Sequence, residues 1–252
     1  MAISGTYTFN PDISEIVQEA YEQAGLDLRS GYDLFTARRS LNLLTIEWQN
    51  RGLNLWTIDE QKVSEDSDDT ALTTNYLNKG TSAYNLGVST SALLDVILRT
   101  NDGVTSTQSD YRLNRISQPV YATIPNKLSQ GRPVQFYLQR KGILDVAADG
   151  ADQNNVITLW PVPDKDTTYK IVYWRVKRIA DAGQPVTNTM QVPDRFIPAL
   201  ISGLAYQIAL KRPEVSERAP LLKQVYEEAF ALAAEEDREK ASVRFTPNIS
   251  GY

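Results

Sequence analysis

The sequence predicts an α+β protein: a helical bundle formed by both chain ends, with an antiparallel β-sandwich or barrel-like domain inserted between them. Three observations support this prediction. Apolar residues recur at helical spacing near both ends of the chain. The middle carries short alternating runs, separated by clusters of Gly, Pro, Asn and Asp. The length of 252 residues is enough for one large domain or two smaller ones.

The first predicted helix follows a short N-terminal segment. We expect Asn10 to cap it and Pro11 to occupy its first position, where the missing N–H has no cost. Gly25 is expected to end it, since glycine readily adopts the left-handed conformation that closes a helix.

The second predicted helix begins near Tyr32 and ends at Gly52. One apolar stripe recurs along it, and Leu43 and Ile46 widen that stripe. We therefore expect this helix to be covered on more than one side.

Strands and turns are predicted between residues 55 and 190, with an acidic loop over residues 64–74. Both alternating residue sets of the last strand are largely apolar, so neither of its faces is clearly polar. The predicted strands are Leu55–Val63, Asp95–Arg99, Tyr111–Ser117, Val134–Arg140, Ile143–Val146, Val156–Trp160 and Tyr169–Ile179.

Helical spacing returns after Val192 and predicts two further helices. Arg212 and Pro213 should end the first, and the second should begin near Ser216 and finish in a charged, solvated end. The predicted organisation is a helical domain formed by residues 1–54 and 191–241, an inserted β domain at 55–190 and an extended tail at 242–252.

Composition excludes several classes of function. The chain contains no His and no Cys, which rules out Cys/His metal sites, cysteine nucleophiles, disulfides and Ser-His-Asp triads. It has no phosphate-binding or dinucleotide-binding glycine motif, so we expect no cofactor and no metal. A net charge of −5 argues against tight binding along duplex DNA, and no segment is apolar enough to predict a membrane span.

Two sets of side chains allow functional alternatives. Trp160 and Trp174 lie on neighbouring predicted strands, where an exposed pair would stack on sugars or on partner side chains. The alternative is that both fill the β core.

Glu47, Asp59 and Glu60 provide carboxylates for an acid-pair hydrolase, whereas solvated or ion-paired carboxylates are the more general explanation.

Four segments, taken in order, carry a resemblance to a known family. Ser40–Glu60 contains the pattern EW-x-x-x-G-L, and Val192–Pro213 contains LAY-x-IA; between them lie LWPVPD (Leu159–Asp164) and YWRVKRIADAG (Tyr173–Gly183). In order and spacing they resemble the head-to-tail adaptor proteins (connector or head-completion proteins) of short-tailed, podovirus-type phages.

This resemblance implies a structural virion protein at the head–tail junction, made in the host cytoplasm and without enzymatic activity. It implies a homo-oligomeric ring, usually of twelve subunits, between the portal protein and the tail nozzle or tail fibre proteins. DNA would pass through the ring during ejection without sequence-specific binding. The inserted β region instead resembles larger adaptors or tail-tube proteins, which leaves a tail-tube or nozzle component as the alternative.

The same resemblance implies that the C-terminal segment reaches the portal. The tail from Ser242 to Tyr252 has no helical pattern, which suits a segment that becomes ordered only on a partner. Arg244, Phe245 and Tyr252 are the predicted portal anchors. An acidic channel wall would also repel DNA phosphates, in agreement with the negative net charge.

Overall fold

The chain divides into two units in the computed structural model. The helical unit comprises residues 1–56 and 179–252, and the β unit comprises residues 57–178. The structure describes residues 9, 11–28, 31–52, 55–62, 76–87, 89–140, 155–183 and 188–238. The predicted loop at 64–74 and the predicted strand at 143–146 lie outside these described residues.

Helices dominate the first unit and strands dominate the second, which confirms the α+β class. In chain order the helices are α1 (Ile13–Ala24), α2 (Gly31–Arg51), α3 (Gln118–Ala122), α4 (Ile197–Lys211) and α5 (Ala219–Glu236). The strands are β1 (Ile58–Lys62), β2 (Ala83–Asn85), β3 (Thr90–Thr100), β4 (Ser109–Arg112), β5 (Asn114–Ile116), β6 (Gln135–Gln139), β7 (Val156–Trp160) and β8 (Tyr169–Lys177).

Helix α1 begins with a reciprocal cap, but the capping residue is Asp12 and not Asn10 as predicted. The Asp12 carboxylate accepts the Glu15 backbone N–H at 2.9 Å, and the Glu15 carboxylate accepts that of Asp12 at 3.0 Å. This capping box satisfies two N–H groups that a helix start leaves unpaired. The predicted stop is confirmed, since Gly25 adopts a left-handed φ of 79°.

Helix α4 forms the centre of the helical unit and packs against α1, α2 and α5. A glycine allows this close approach: a Cβ at Gly203 would lie 2.9 Å from Leu44 of α2 and 2.9 Å from Tyr226 of α5. At one end of the core, the Trp48 ring lies 5.7 Å from that of Phe196 and 5.5 Å from that of Phe230. Small residues and aromatic rings therefore fill this core together.

The charged end of α5 is solvated as predicted at Glu235, Glu236 and Arg238, and it differs from the prediction only at Asp237 among the described residues. Asp237 is buried, and its carboxylate accepts the backbone N–H of Leu55 at 2.7 Å. Asp237 also lies 3.9 Å from the Arg195 guanidinium. A carboxylate of the C-terminal charged run thus holds Leu55, the first residue of the 3-10 turn Leu55–Thr57, within the helical unit.

In the described residues of the β unit the strands form two four-stranded sheets, in the orders β1-β8-β3-β4 and β2-β7-β6-β5. Among these strands all pairs are antiparallel except β5 and β6, which run parallel. Inward residues of both sheets form one shared core, so the arrangement is a sandwich and not a closed barrel. The core contains Leu77, Tyr84, Leu86, Leu93, Val96, Leu98, Leu113, Phe136, Leu138, Ile157, Leu159, Tyr169, Ile171 and Tyr173.

The single strand predicted at Tyr111–Ser117 is wrong, because this stretch contributes to both sheets. Strand β4 pairs with β3 in one sheet, and β5 pairs with β6 in the other. Between them Leu113 is buried in the shared core. The residues of β4 and β5 are mostly exposed, so this stretch has little apolar alternation from which the crossing could be predicted.

Candidate functional site

A row of large apolar side chains lies on the solvent side of α2. Tyr32, Phe35, Leu43 and Ile46 are 73%, 60%, 55% and 52% exposed. Their spacing places them on one helix face, with exposed Arg39 between them. We call Tyr32, Phe35, Arg39, Leu43 and Ile46 the α2 outer row. We predicted that Leu43 and Ile46 would be covered by other residues. Within a single chain this prediction is wrong, because both side chains face solvent.

The opposite face of α2 fixes the outer row in place. The backbone of Ala182 links α2 at two points: its oxygen accepts the Arg38 Nε–H at 2.8 Å, and its N–H donates to the Asn42 side chain at 2.8 Å. Ala37, Leu41, Leu44 and Trp48 are buried on that side. Turning the outer row inward would expose these four residues, so α2 cannot rotate at low cost.

Polar contacts near the C-terminal end of α2 connect it to α5. The Trp48 indole N–H donates to the Tyr226 hydroxyl at 2.9 Å, and that hydroxyl donates to Glu47 at 3.2 Å. Burial raises the pKa of Tyr226, so the hydroxyl keeps its proton. Arg51 binds Glu47 and Glu227 at 2.6 Å each, and the hydrogen bond with Glu227 raises the pKa of the guanidinium.

A groove of about 670 Å³ lies between α1, α4 and α5. Its apolar lining includes Ile16, Ile197, Pro198, Ile201, Val225 and Ala229. Acidic residues stand along its border: Glu15, Glu19, Glu22 and Asp194. We call this feature the acidic-rimmed groove.

Helix geometry explains the acidic border of the groove. Glu15, Glu19 and Glu22 are four and three residues apart and therefore share one face of α1. They are exposed, whereas Ile13, Ile16, Val17 and Ala20 are buried. The described lining contains no Lys or Arg. A cationic, apolar partner would therefore suit this groove best.

The two predicted partner-facing tryptophans are not brought together. Trp160 lies on β7 and Trp174 on β8; these strands belong to different sheets, which corrects the expected neighbouring pair. Both side chains are half-buried and stand outside the shared core cluster. The Trp160 indole N–H donates to the Asn126 carbonyl at 3.1 Å. One sugar ring would therefore not be held between them.

The carboxylates considered for hydrolysis have structural partners. Glu47 binds Arg51, and Asp59 binds Arg175 at 2.7 Å. Glu60 is exposed and neighbours Asp59 on β1, where successive side chains point to opposite faces. The predicted portal anchors Arg244, Phe245 and Tyr252 lie outside the described residues.

A basic surface of the β unit was not predicted from the sequence. Residues 111–140 contain five Lys or Arg residues and no Asp or Glu, in a chain of net charge −5. Aromatic rings accompany these charges: the Arg132 guanidinium lies 4.2 Å from the Tyr111 ring centroid, and Tyr121 and Tyr137 stack at 5.7 Å. We call residues 111–140 the basic segment. The absence of acidic residues over thirty positions was the signal that would have revealed it.

A family model matches residues 12–249, and its description is "SU10 adaptor protein". The chain belongs to this family. It is a family of phage head–tail adaptors, so the protein is a structural component of the phage particle and interacts with other virion proteins. No curated protein matches the chain.

Membrane spans and metal clusters are both missing from the described part of this adaptor. None of its helices there is long and apolar enough to cross a membrane. No group of three or more acidic residues in the described ranges is arranged to hold a metal ion.

Proposed function

We propose that this adaptor forms a homo-oligomeric ring that joins the portal to the tail nozzle and surrounds the path of the DNA. The observation that carries the proposal is the α2 outer row, found in a member of an adaptor family. Isolated soluble proteins seldom leave several large apolar side chains in line on one helix. In the ring a neighbouring subunit would cover these side chains, so they would be exposed only before assembly.

The negative net charge supports a channel that DNA passes without adhering. Binding along a duplex depends on many Lys and Arg contacts to phosphate, and the chain carries 26 basic against 31 acidic residues. A ring with this balance repels the DNA backbone on average. Twelve subunits remain the expected number.

The tail from Ser242 to Tyr252 is proposed to attach the ring to the portal, with Arg244, Phe245 and Tyr252 as anchors. The test is a chain that ends at Ala241. We expect this variant to keep the circular dichroism of the full chain but to lose attachment to purified portal rings. Normal attachment of the truncated chain would remove the tail from the proposal.

Native mass spectrometry tests the ring itself. The protein is measured alone and after mixing with the portal ring of its phage. We expect a closed oligomer, or a monomer that loads onto the portal at a fixed ratio. A protein that stays monomeric alone and ignores the portal would contradict the adaptor ring and favour a tail component.

The basic segment supports the alternative proposal, in which the protein is a tail-tube or nozzle component. Arg115 and Arg140 line an open pocket of about 720 Å³ together with Tyr137. Such a surface fits an acidic nozzle or fibre protein. If the double variant Arg115→Glu, Arg140→Glu loads on the portal normally but no longer binds nozzle or fibre proteins, the β unit is the tail-facing side. Trp160 and Trp174 would then act as separate contact points.

A further inference from the structure

We infer that the α2 outer row of one copy of this chain docks into the acidic-rimmed groove of the next copy, and that this contact is repeated around the ring. The inference rests on the proposed ring and names its two contacting faces. It commits to a second copy of the chain as the occupant of the groove.

The two surfaces lie on different sides of α4. Gly203 faces α2, because a Cβ there would meet Leu44 at 2.9 Å. Ile201 lines the groove, and two residues correspond to about 200° around a helix. The outer row also points away from the side of α2 that packs in the core. One subunit therefore cannot fill its own groove with its own outer row.

Two different faces on opposite sides of a subunit produce head-to-tail contacts. Such contacts are heterologous, and they close into a ring when the rotation between successive copies fits a whole number of subunits. A two-fold dimer would need one face that is complementary to itself. The outer row and the groove differ in shape and in charge, which favours the ring.

The two surfaces are also chemically complementary. The outer row presents aromatic and aliphatic side chains, and the groove offers an apolar floor between α4 and α5. Arg39 is the cation of the outer row; its guanidinium lies 5.5 Å from the Phe35 ring centroid. The groove border supplies four carboxylates and no cation from the described residues. Apolar burial would provide affinity, and the charges would fix the register.

The dimensions suggest a register. The outer row extends about 21 Å along α2 from Tyr32 to Ile46, and from Glu15 to Gln23 the α1 side of the groove extends about 12 Å, so the groove can receive the middle of the row. Arg39 lies midway along the first length, and Glu19 lies midway along the second. Pairing the two surfaces thus brings Arg39 opposite Glu19.

The decisive experiment exchanges these two charges. The variant Arg39→Glu would place a carboxylate against Glu19, and Glu19→Arg would place a cation against Arg39. We expect each variant alone to raise the dissociation constant of the subunit contact about tenfold or more, because like charges would meet across it. Glu217→Arg, the same charge change at an exposed residue outside the groove lining, should assemble normally.

An equal mixture of the two variants gives a result that other arrangements would not. The outer row of Arg39→Glu meets the groove of Glu19→Arg, which restores an opposite pair. The outer row of Glu19→Arg meets the unaltered groove of Arg39→Glu, which is the natural pair. We therefore expect the mixture to assemble with alternating subunits. Failure of the mixture, together with loss of assembly in each variant, would overturn the pairing.

Cysteine cross-linking provides an independent measurement, since the chain has no Cys of its own. A double variant Arg39→Cys, Glu19→Cys should give a ladder of disulfide-linked subunits on oxidation, and reduction should remove it. Each single cysteine variant should give no ladder beyond dimers. A wild-type protein that assembles while the double variant stays uncross-linked would also overturn the pairing.

The outcomes separate this inference from the proposed function. If the wild type forms no oligomer alone or on the portal, the ring itself is wrong. If the wild type assembles and both charge reversals assemble equally well, the ring stands and the pairing is wrong. If deletion of residues 239–252 abolishes assembly while Arg39→Glu does not, the terminal segment of the chain occupies the neighbouring groove and the α2 outer row does not.

Discussion

The helical unit and the β unit differ in the types of side chain that they bury. The helical core holds Trp48, Phe196 and the small residue Gly203, and its Arg51 stays near the surface beside Glu227. Among its described residues, the β unit instead buries two cations. Arg175 is only 2% exposed and binds Asp59 and Thr90, and Lys170 binds Asp102 at 2.7 Å.

This difference indicates how each unit is stabilised. The helical core is apolar apart from the buried carboxylates of Asp33 and Asp237, so it depends mainly on volume, since every missing atom leaves a cavity. A core with buried cations depends on partners, since removing a carboxylate leaves a charge that water cannot reach. The two units should therefore respond to different substitutions.

The largest effect is expected in the helical unit. Trp48→Ala should lower the free energy of unfolding by about 3–5 kcal/mol, because Trp48 is fully buried between Phe196 and Phe230. Urea unfolding followed by the helical circular dichroism signal measures this loss. Leu210→Ala, at an exposed position of α4, is the control and should change stability by less than about 0.5 kcal/mol. Equal losses in both variants would contradict a volume-dependent core.

In the β unit the corresponding substitution removes a charge. Asp59→Ala should cost about 2–3 kcal/mol, because it removes the charge-assisted hydrogen bonds of Asp59 to the buried Arg175 guanidinium. Asp110→Ala is the matched control: it binds Arg99 at 2.9 Å, but that guanidinium is more exposed, so the loss should stay below about 1 kcal/mol. Urea unfolding of both variants provides the comparison. A smaller loss for Asp59→Ala than for Asp110→Ala would reverse the argument.

A small added volume should disturb the helical core. Gly203→Ala is expected to destabilise by about 1–2 kcal/mol, because its Cβ would lie 2.9 Å from both Leu44 and Tyr226. Gly31→Ala should be neutral or slightly stabilising, since nothing lies within 4 Å of a Cβ there. Thermal unfolding of the two variants distinguishes crowding from a general effect of replacing glycine. Identical shifts of both midpoints would argue against crowding at α4.

The smallest expected effect is the change in folding stability with pH. The hydrogen bond from Lys170 lowers the pKa of Asp102 below its ordinary value. Its contribution to stability is therefore complete above about pH 4 and is lost as pH falls through the lowered pKa. Asp102→Asn should cost stability at pH 7 and approach the wild type in acid. Urea midpoints measured along an acid series test this.

Glu227→Gln is the helical counterpart of that experiment. Arg51 lowers the pKa of Glu227, so the pH dependence has the same sign. The effect should be smaller than for Asp102, because the Glu227 side chain is 45% exposed and water screens the pair. A larger acid sensitivity from Glu227 would contradict the contrast between the two units.

Local sequence signals predicted where the elements end. Gly25 and Gly52 follow the last residues of α1 and α2, and Pro213 follows α4 closely. Glycine ends a helix because it readily adopts the left-handed conformation, and proline ends one because it lacks the backbone N–H. Neither effect depends on residues that are distant in the sequence. Strand β6 likewise followed from alternation, because Phe136 and Leu138 face the shared core.

Long-range pairing decided what local patterns could not predict. The pattern at Tyr111–Ser117 predicts one strand, and only the pairing of β4 and β5 with different strands divides it. Trp160 and Trp174 follow each other on consecutive strands, yet consecutive strands of a sandwich need not pair. Asp237 belongs to a run that predicts a solvated end, although the Leu55 N–H holds its carboxylate in a buried position.

The sequence by itself determined the helical ends, the β middle, the absence of His and Cys chemistry and the resemblance to phage adaptors, since composition and local periodicity carry this information. The tertiary structure decided which apolar residues of α2 are covered. Leu43 and Leu44 are equally apolar and adjacent, but only Leu44 meets α4 at Gly203. Helical periodicity shows that two residues lie on different faces of a helix. Only the element that packs against the helix determines which face joins the core and which stays available to another molecule.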